Sequence, residues 1–305
     1  MRRIYRIRTA ALATATALSV ALLSACTIGE VSGNNEAETA SQGTEEESVP
    51  QPTLPESTPV PAPVTTEDLP VIEATDPQEA LDAIAADNPG TGIAVAGGGT
   101  VFAAGMTDPV AAWSTAKVPL AIAAERAGVA EDSTVTQAIT YSDNAAADSL
   151  WEALGGGQDA ARATQEVSGT TSVPATPPRP GFSAVGQTQW TVAQQAEFVA
   201  SLGCMDGAEP VLAAMAQPDP AQRYGLGTLE GAVKKGGWGP AEDGSYEARQ
   251  MGLVTLGGHT VAVAIYASAD SGDYGDAQQM LTRLATQLES AEVEWPAAGC
   301  QQGAV

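Results

Sequence analysis

Residues 114–120 read Ser-Thr-Ala-Lys-Val-Pro-Leu and lead into the apolar stretch Ala-Ile-Ala-Ala, which ends at residue 124. The pattern predicts a helix over about 114–126. The Ser-x-x-Lys spacing places the Ser114 hydroxyl and the Lys117 amine one turn apart on the same face. Free backbone N–H groups at the start of the helix favour oxyanion charge, and a desolvated lysine can accept a serine proton. The pair predicts nucleophilic serine chemistry, with a capping serine and a solvated lysine as the alternative.

Two further motifs follow in the chain. Tyr141-Ser142-Asp143-Asn144 opens a helical stretch, and Lys234-Lys235-Gly236-Gly237 precedes a predicted hairpin. The order Ser-x-x-Lys, Ser-Asp-Asn and Lys-x-Gly resembles the signature of the penicillin-recognising serine enzymes, which include class A β-lactamases and D,D-peptidases. Residues 114–120 are similar to that family's nucleophile helix, and residues 139–156 are similar to its Ser-Asp-Asn helix. The resemblance covers about residues 75–291 and implies the β-lactamase/transpeptidase-like fold.

The resemblance implies a catalytic role for each matching residue. Ser114 matches the nucleophile that accepts the acyl group, and Lys117 matches the residue that helps to deprotonate it. Ser142 matches the hydroxyl that relays a proton to the leaving nitrogen. Asn144 matches the side chain that contacts both a substrate amide and Lys117.

The third motif can be aligned in two registers. Lys235-Gly236-Gly237 replaces the family's hydroxyl residue with glycine, whereas Lys234-Lys235-Gly236 replaces it with lysine. We prefer the first register, because strand alternation lets only one of two adjacent lysines face the cleft and Gly236 leaves room there. Lys235 is then the catalytic lysine of this motif, and Gly237 lies beside the substrate.

The resemblance implies two further substrate contacts. The backbone N–H groups of Ser114 and Trp238 match the family's oxyanion hole. Arg249, early on the following strand, resembles the family's carboxylate-binding arginine. A surface arginine on a very acidic protein is the alternative interpretation of Arg249.

The sequence also departs from the family in ways that bear on activity. Class A enzymes carry a Glu-x-x-x-Asn in the Ω loop, and its glutamate activates the water that removes the acyl group. The corresponding residues 169–187 contain no Asp or Glu, and Glu166 lies before that loop without a downstream Asn. The missing hydroxyl in the third motif also weakens the expected grip on a substrate carboxylate. We therefore expect acylation with poor deacylation of β-lactams.

Periodicity and turn signals predict the remaining elements of the domain. Asp76-Pro77 marks a helix start, and apolar segments around Gly-rich turns predict hairpins at 92–96/101–104 and 251–256/260–267. Helices are predicted at about 114–126, 134–153, 191–202 and 275–289, with a loop at 169–188. This order predicts an α+β class with an antiparallel sheet flanked by helices. The short segment between Lys117 and Ser142 predicts a small helical lobe.

The N-terminal region predicts export and a tether. Residues 1–26 have a basic start, an apolar run of signal-peptide length and the quartet Leu23-Ser24-Ala25-Cys26. The quartet resembles the bacterial lipobox, which implies lipidation of Cys26 and an extracytoplasmic protein anchored to the outer face of the cell membrane. An ordinary signal peptide with an incidental cysteine is the alternative. Residues 27–70 are acidic and rich in Pro, Ser and Thr, so we expect a disordered tether before a domain at 71–305.

Charge and cysteine content exclude some partners. The formal net charge is −24, which argues against nucleic acid as a partner. Besides Cys26 the chain has Cys204 and Cys300, and outside the membrane two such thiols usually pair. The sequence has no Cys-x-x-Cys and a single histidine, so we expect no metal and no cofactor.

Two functions of different kinds agree with the motifs. The first is a serine hydrolase that acts by acyl-enzyme chemistry on an amide or ester, with peptidoglycan peptides or β-lactams as ligands. The second is a catalytically inert lipoprotein of the same fold that binds cell-wall material or a protein partner. An efficient β-lactamase fits less well, because the Ω-loop segment has no acid.

Overall fold

A computed structural model describes residue 72 and residues 74–169 and 171–300. The leader, Cys26 and the tether lie outside the described residues. The first helices and strands are α1 (Pro77–Asp87), β1 (Thr91–Gly97), β2 (Thr100–Gly105), β3 (Val110–Ala111), α2 (Lys117–Ala127), α3 (Asp132–Thr140), α4 (Asn144–Ala153) and α5 (Gly157–Ser168). The others are β4 (Gln189–Trp190), α6 (Val192–Ala200), α7 (Glu209–Met215), β5 (Val233–Pro240), β6 (Tyr246–Leu256), β7 (His259–Ala269) and α8 (Tyr274–Ser290).

An antiparallel sheet forms the centre of the domain, in the order β2-β1-β7-β6-β5. Every residue of β1 is buried, because helices cover both faces of the sheet. Ile93 and Val95 pack in one core cluster with residues of α1 and α8, whereas Ala94 and Ala96 pack in the other with residues of α2 and α6. The α+β prediction and both predicted hairpins are confirmed. Strand β5 lies at the edge of the sheet, beside the helical lobe.

The helical lobe departs from the prediction in one important place. The single helix expected at 134–153 is two helices, α3 and α4, which are separated by residues 141–143. The break lies at Ser142, whose φ of 58° a helix cannot accommodate. The Asp143 side chain then caps α4 by accepting a hydrogen bond from Ala146 N at 2.7 Å. The Ser142-Asp143-Asn144 motif therefore lies at a turn between two helices.

A disulfide joins Cys204 to Cys300, as the cysteine count predicts, with a Cα–Cα distance of 5.5 Å. It ties the segment after α8 to the end of α6, where Gly299 N also donates a hydrogen bond to Ala200 O at 3.2 Å. The bond closes a loop with a sequence separation of 96 residues. In the chain-entropy description such a loop stabilises the fold by at most about 4–5 kcal/mol.

One further observation concerns the membrane. In the described part of the chain, no single helix is long and apolar enough to cross a bilayer. Two helical segments that are bent by 119° relative to each other, Val192–Cys204 and Glu209–Met215, together have the length and composition of a membrane span.

Candidate active site

A cleft of about 590 Å³ opens between β5 and the helical lobe. Ser114 lines it from a short 3₁₀ helix, Trp113–Ala116, that runs directly into α2. The preceding Trp113 has a φ of 49°, which is an uncommon conformation for a bulky residue. The indole of Trp113 donates a hydrogen bond to Glu247 Oε2 on β6 at 2.7 Å. The strained turn is thus fixed to the sheet and presents Ser114 to the cleft.

Lys117 lies one turn after Ser114 and is almost completely buried. Its Nζ donates hydrogen bonds to Ser142 O at 2.6 Å, Asp143 O at 3.2 Å and Asn144 Oδ1 at 2.7 Å. Burial lowers the pKa of Lys117 to about 8, although the carboxylates of Asp143 and Asp148 favour its charged form. A lysine with this pKa exchanges its proton near neutral pH, as a general base must.

Lys235 and Ser142 meet on the other side of the cleft. Lys235 Nζ donates to Ser142 Oγ at 2.8 Å and to Gly236 O at 2.9 Å. Burial, together with the like charges of Lys117 and Lys234, holds the pKa of Lys235 well below its usual value. The turn between α3 and α4 therefore lies between two lysines. The Ser142 hydroxyl accepts a hydrogen bond from Lys235, and the Ser142 backbone carbonyl accepts one from Lys117.

The two adjacent lysines of β5 point to opposite faces of the strand. Lys234 turns away from the cleft, donates to Gln222 O and lies 5.5 Å from the centre of the Tyr224 ring. One expectation is wrong: Gly236 does not open the cleft, because a Cβ on it would point at Tyr224 Oη, 3.6 Å away on the face opposite to the cleft. Strand alternation places residue 236 on the same face as Lys234.

Two residues of β5 need to be glycine, Gly237 and Gly239, and a Cβ on Gly239 would lie 2.4 Å from the Trp113 ring. A Cβ on Gly237 would lie 2.6 Å from Ser114 N and 2.9 Å from the Trp113 side chain, so the backbone of β5 packs directly on the turn that carries Ser114. Trp238, the next residue, lines the cleft together with Ser114. The structure thus brings together the two residues whose N–H groups the resemblance assigns to the oxyanion hole.

Lys234 offers a test of the cost of burying a charge. It is 1% exposed, and burial lowers its pKa to about 7. Since the unfolded chain binds this proton up to about pH 10.4, the stability should rise with pH between about 7 and 10. We expect Lys234→Met to stabilise the protein by about 1–3 kcal/mol at pH 6 and by much less at pH 10.

Urea unfolding of the wild-type protein and of Lys234→Met, each at about pH 6 and about pH 10, measures this change in the free energy of unfolding. The difference between the two proteins reports the burial of Lys234 together with its charge repulsion on Lys235, whereas the titration of Lys117 is common to both. An equal change in stability at both pH values would show that packing, and not charge, decides the effect.

Both interpretations of Arg249, as a carboxylate-binding residue and as a surface arginine, are wrong. This side chain lies neither in the cleft nor at the surface. It is 0% exposed, and its N–H groups donate to Gln195 Oε1 and to the carbonyls of Val110, Ala111 and Trp190. Gln195 in turn donates to Thr115 Oγ1 at 2.7 Å, next to Ser114. Arg249 therefore braces the segment that carries Ser114 and contacts no cleft surface.

Two cleft residues were missed by the sequence analysis. Asp148 lies one turn after Asn144, on the same face of α4, and this spacing was the available signal. Gln187 lines the cleft from the loop before β4, is 5% exposed, and its Nε2 has no hydrogen-bond partner in the described chain. No feature of the sequence distinguishes Gln187 from its neighbours. The loop also brings Phe182, Val185 and Gly186 to the cleft, but no carboxylate from its described residues.

Comparisons with known proteins reveal similarity in structure alone. No family model matches the chain, and no curated protein matches it in sequence. A β-lactamase from Chitinophaga pinensis superposes with a TM-score of 0.58 at 16% identity, covering 68% of this chain and 96% of the other. A representative class A β-lactamase from Bacteroides cellulosilyticus superposes with a TM-score of 0.58 at 13% identity, covering 71% and 99%. The chain therefore has the fold of the class A β-lactamases.

Proposed function

We propose that the chain is an extracytoplasmic lipoprotein whose folded domain is a serine hydrolase. It forms an acyl-enzyme on Ser114 from an amide or ester, with peptidoglycan peptides as the natural ligand class. The observation that supports this most strongly is one cleft in which Ser114 lies beside two hydrogen-bonded pairs, Lys117 with Asn144 and Lys235 with Ser142. An inert binding protein has no physical need for this arrangement.

The proposed chemistry begins with proton transfer. Neutral Lys117 accepts the proton of Ser114, and the Ser114 oxygen attacks the substrate carbonyl carbon. The N–H groups of Ser114 and Trp238 stabilise the resulting oxyanion. As the bond to the leaving group breaks, Ser142 donates its proton to the leaving nitrogen and is reprotonated through Lys235 or Lys117. The products of this half-reaction are the acyl-Ser114 ester and the free amine.

The second half-reaction, hydrolysis of the ester, is the slow one in this proposal. A general base that activates water typically contributes 10²–10⁴-fold to a rate. Gln187 occupies the loop side of the cleft with an amide, which can orient a water molecule but cannot take its proton. β-Lactams should therefore leave a persistent acyl group on Ser114.

One observation favours the alternative, an inert lipoprotein that binds cell-wall material or a protein partner. All three protons of the Lys117 ammonium point at acceptors in residues 142–144 and not at Ser114. Labelling with a fluorescent penicillin and a fluorophosphonate, with Ser114→Ala as the control, separates the two functions. Labelling that depends on Ser114 supports the hydrolase, and the absence of labelling with both probes supports the binder.

The membrane anchor gives a separate prediction. We expect the native protein to partition into the detergent phase of Triton X-114 and Cys26→Ala to remain in the aqueous phase, because lipid chains supply the apolar surface. Mass spectrometry of the native N-terminus should find a diacylated cysteine at residue 26. An unmodified N-terminus at another residue would end the lipoprotein proposal.

A further inference from the structure

The basic side chains around the cleft have few hydrogen-bond donors to spare. Lys117 is the one basic residue among the described residues that line the cleft, and its three N–H groups are directed to acceptors in residues 142–144. Lys235 is 1% exposed and uses two donors within the protein. The five N–H groups of Arg249 all bind protein oxygens behind the nucleophile.

Arg179 is the remaining cation near the mouth of the cleft. Its guanidinium lies 4.4 Å from the centre of the Phe182 ring and donates to Pro240 O at 2.9 Å. Glu242 lies 3.7 Å from its Nε and supplies a counter-charge. Phe182 and Pro240 line the cleft, but Arg179 does not. A substrate carboxylate therefore finds no unpaired cation in the cleft wall.

The exposed charges of the cleft are negative. Asp143 and Asp148 both line it, and Asp143 is committed to capping α4 through Ala146 N. Asp148 accepts no hydrogen bond from the described residues, and partial burial raises its pKa, with Glu152 and Asp143 adding to that shift while Lys117 opposes it. Asp148 is nevertheless exposed on the cleft wall, so a cation of a bound ligand can approach this carboxylate and stabilise its charged form.

Two further residues that line the cleft can contact other parts of such a ligand. The aromatic ring of Tyr141 lines the same cleft and is 50% exposed, so its face can receive an ammonium group. Gln187 contributes a buried Nε2 without a hydrogen-bond partner, which fits an acceptor oxygen of the ligand.

We propose that the cleft prefers an acyl donor that carries a positive charge over a neutral or carboxylate-bearing one, and that Asp148 sets this preference. The proposal rests on the acyl-enzyme chemistry proposed for Ser114. A unit charge at about 4–5 Å from a partly exposed carboxylate gains roughly 5- to 30-fold in binding, and salt reduces the gain. Substrates of this class are esters or amides of amino acids and peptides with an ammonium group in the acyl part.

Three p-nitrophenyl esters of similar size test the proposal. Their acyl parts are 4-(trimethylammonio)butanoyl, the neutral isostere 5,5-dimethylhexanoyl, and the anion glutaryl. In each reaction Ser114 Oγ forms the new ester bond, p-nitrophenolate leaves, and the Ser114 proton passes through Lys117 to the solvent. The rate of the initial burst of p-nitrophenolate release, after subtraction of the rate with Ser114→Ala, gives acylation alone, because hydrolysis of the acyl-enzyme is the slow step.

We expect the cationic ester to acylate Ser114 about 10-fold faster than its neutral isostere and the anionic ester to be slower than both. Asp148→Asn should remove most of the preference. Asp206→Asn, which removes an exposed charge that does not line the cleft, should retain it. Equal rates for the cationic and neutral esters, or a preference unchanged in Asp148→Asn, would overturn the inference while leaving the proposed function intact. Absence of Ser114-dependent release from all three esters would overturn both.

Discussion

Replacement of Lys117 with alanine should slow acylation of Ser114 by about 10²–10⁴-fold, because the serine then loses its positioned base. Lys117 is the buried amine one turn from the nucleophile, and burial lowers its pKa to about 8. The acylation rate of the wild-type protein should therefore rise with pH and level off above about pH 8. Stopped-flow measurement with an activated ester over pH 6–10 gives both results.

Lys117→Arg is the matched control for charge. It keeps a cation near Asn144 but cannot lose its proton near neutral pH. If Lys117 acts as a base, the arginine variant should be as slow as the alanine variant. An arginine variant with the wild-type rate would mean that Lys117 supplies charge alone, and the proton would need another acceptor.

Gln187→Glu should have the opposite effect and create turnover. Glutamate has nearly the same shape as glutamine, and burial at this position should raise its pKa towards neutrality, where a general base works best. We expect the lifetime of the penicilloyl group on Ser114 to fall by about 10²–10⁴-fold. Intact-mass spectrometry after removal of free benzylpenicillin follows the decay of the adduct.

Gln187→Met serves as the control for this gain, since it keeps the length of the side chain without adding a base. Its adduct should persist as in the wild-type protein. An unchanged lifetime in a folded Gln187→Glu variant, judged by its thermal midpoint, would show that position 187 does not face the attacking water.

The sequence determined the sheet and the order of elements better than it determined the helical lobe. Both hairpins were predictable because apolar strands flank Gly-rich turns at 98–99 and 257–258. Helix α5 was missed because its buried face consists mostly of alanine and small polar residues, such as Ala160, Ala161 and Thr164. Val167 is the one large apolar residue of this helix, so its amphipathic pattern comes from its charged and polar face and no stripe of large apolar side chains marks the buried one. Helix α7 is only seven residues long and gives no clear period.

For the candidate site, local motifs were informative and long-range placement was not. The spacing between Ser114 and Lys117 follows from helix geometry alone, and strand alternation separates Lys234 from Lys235. The position of Arg249 could not be predicted, because a strand residue that faces the helical lobe can reach either the cleft or the core behind it. Three-dimensional packing against Gln195 decides between the two.

The central claim is that Ser114 becomes acylated and then retains the acyl group. Intact-mass spectrometry of the mature protein after prolonged incubation with millimolar benzylpenicillin tests it most directly, with Ser114→Ala measured in parallel. The account predicts a stable mass increase of one penicilloyl group on the wild-type protein, located on Ser114 by peptide mapping and absent from the variant. Rapid hydrolysis of many equivalents of benzylpenicillin without a persistent adduct, or no adduct with either benzylpenicillin or a fluorophosphonate, would contradict it.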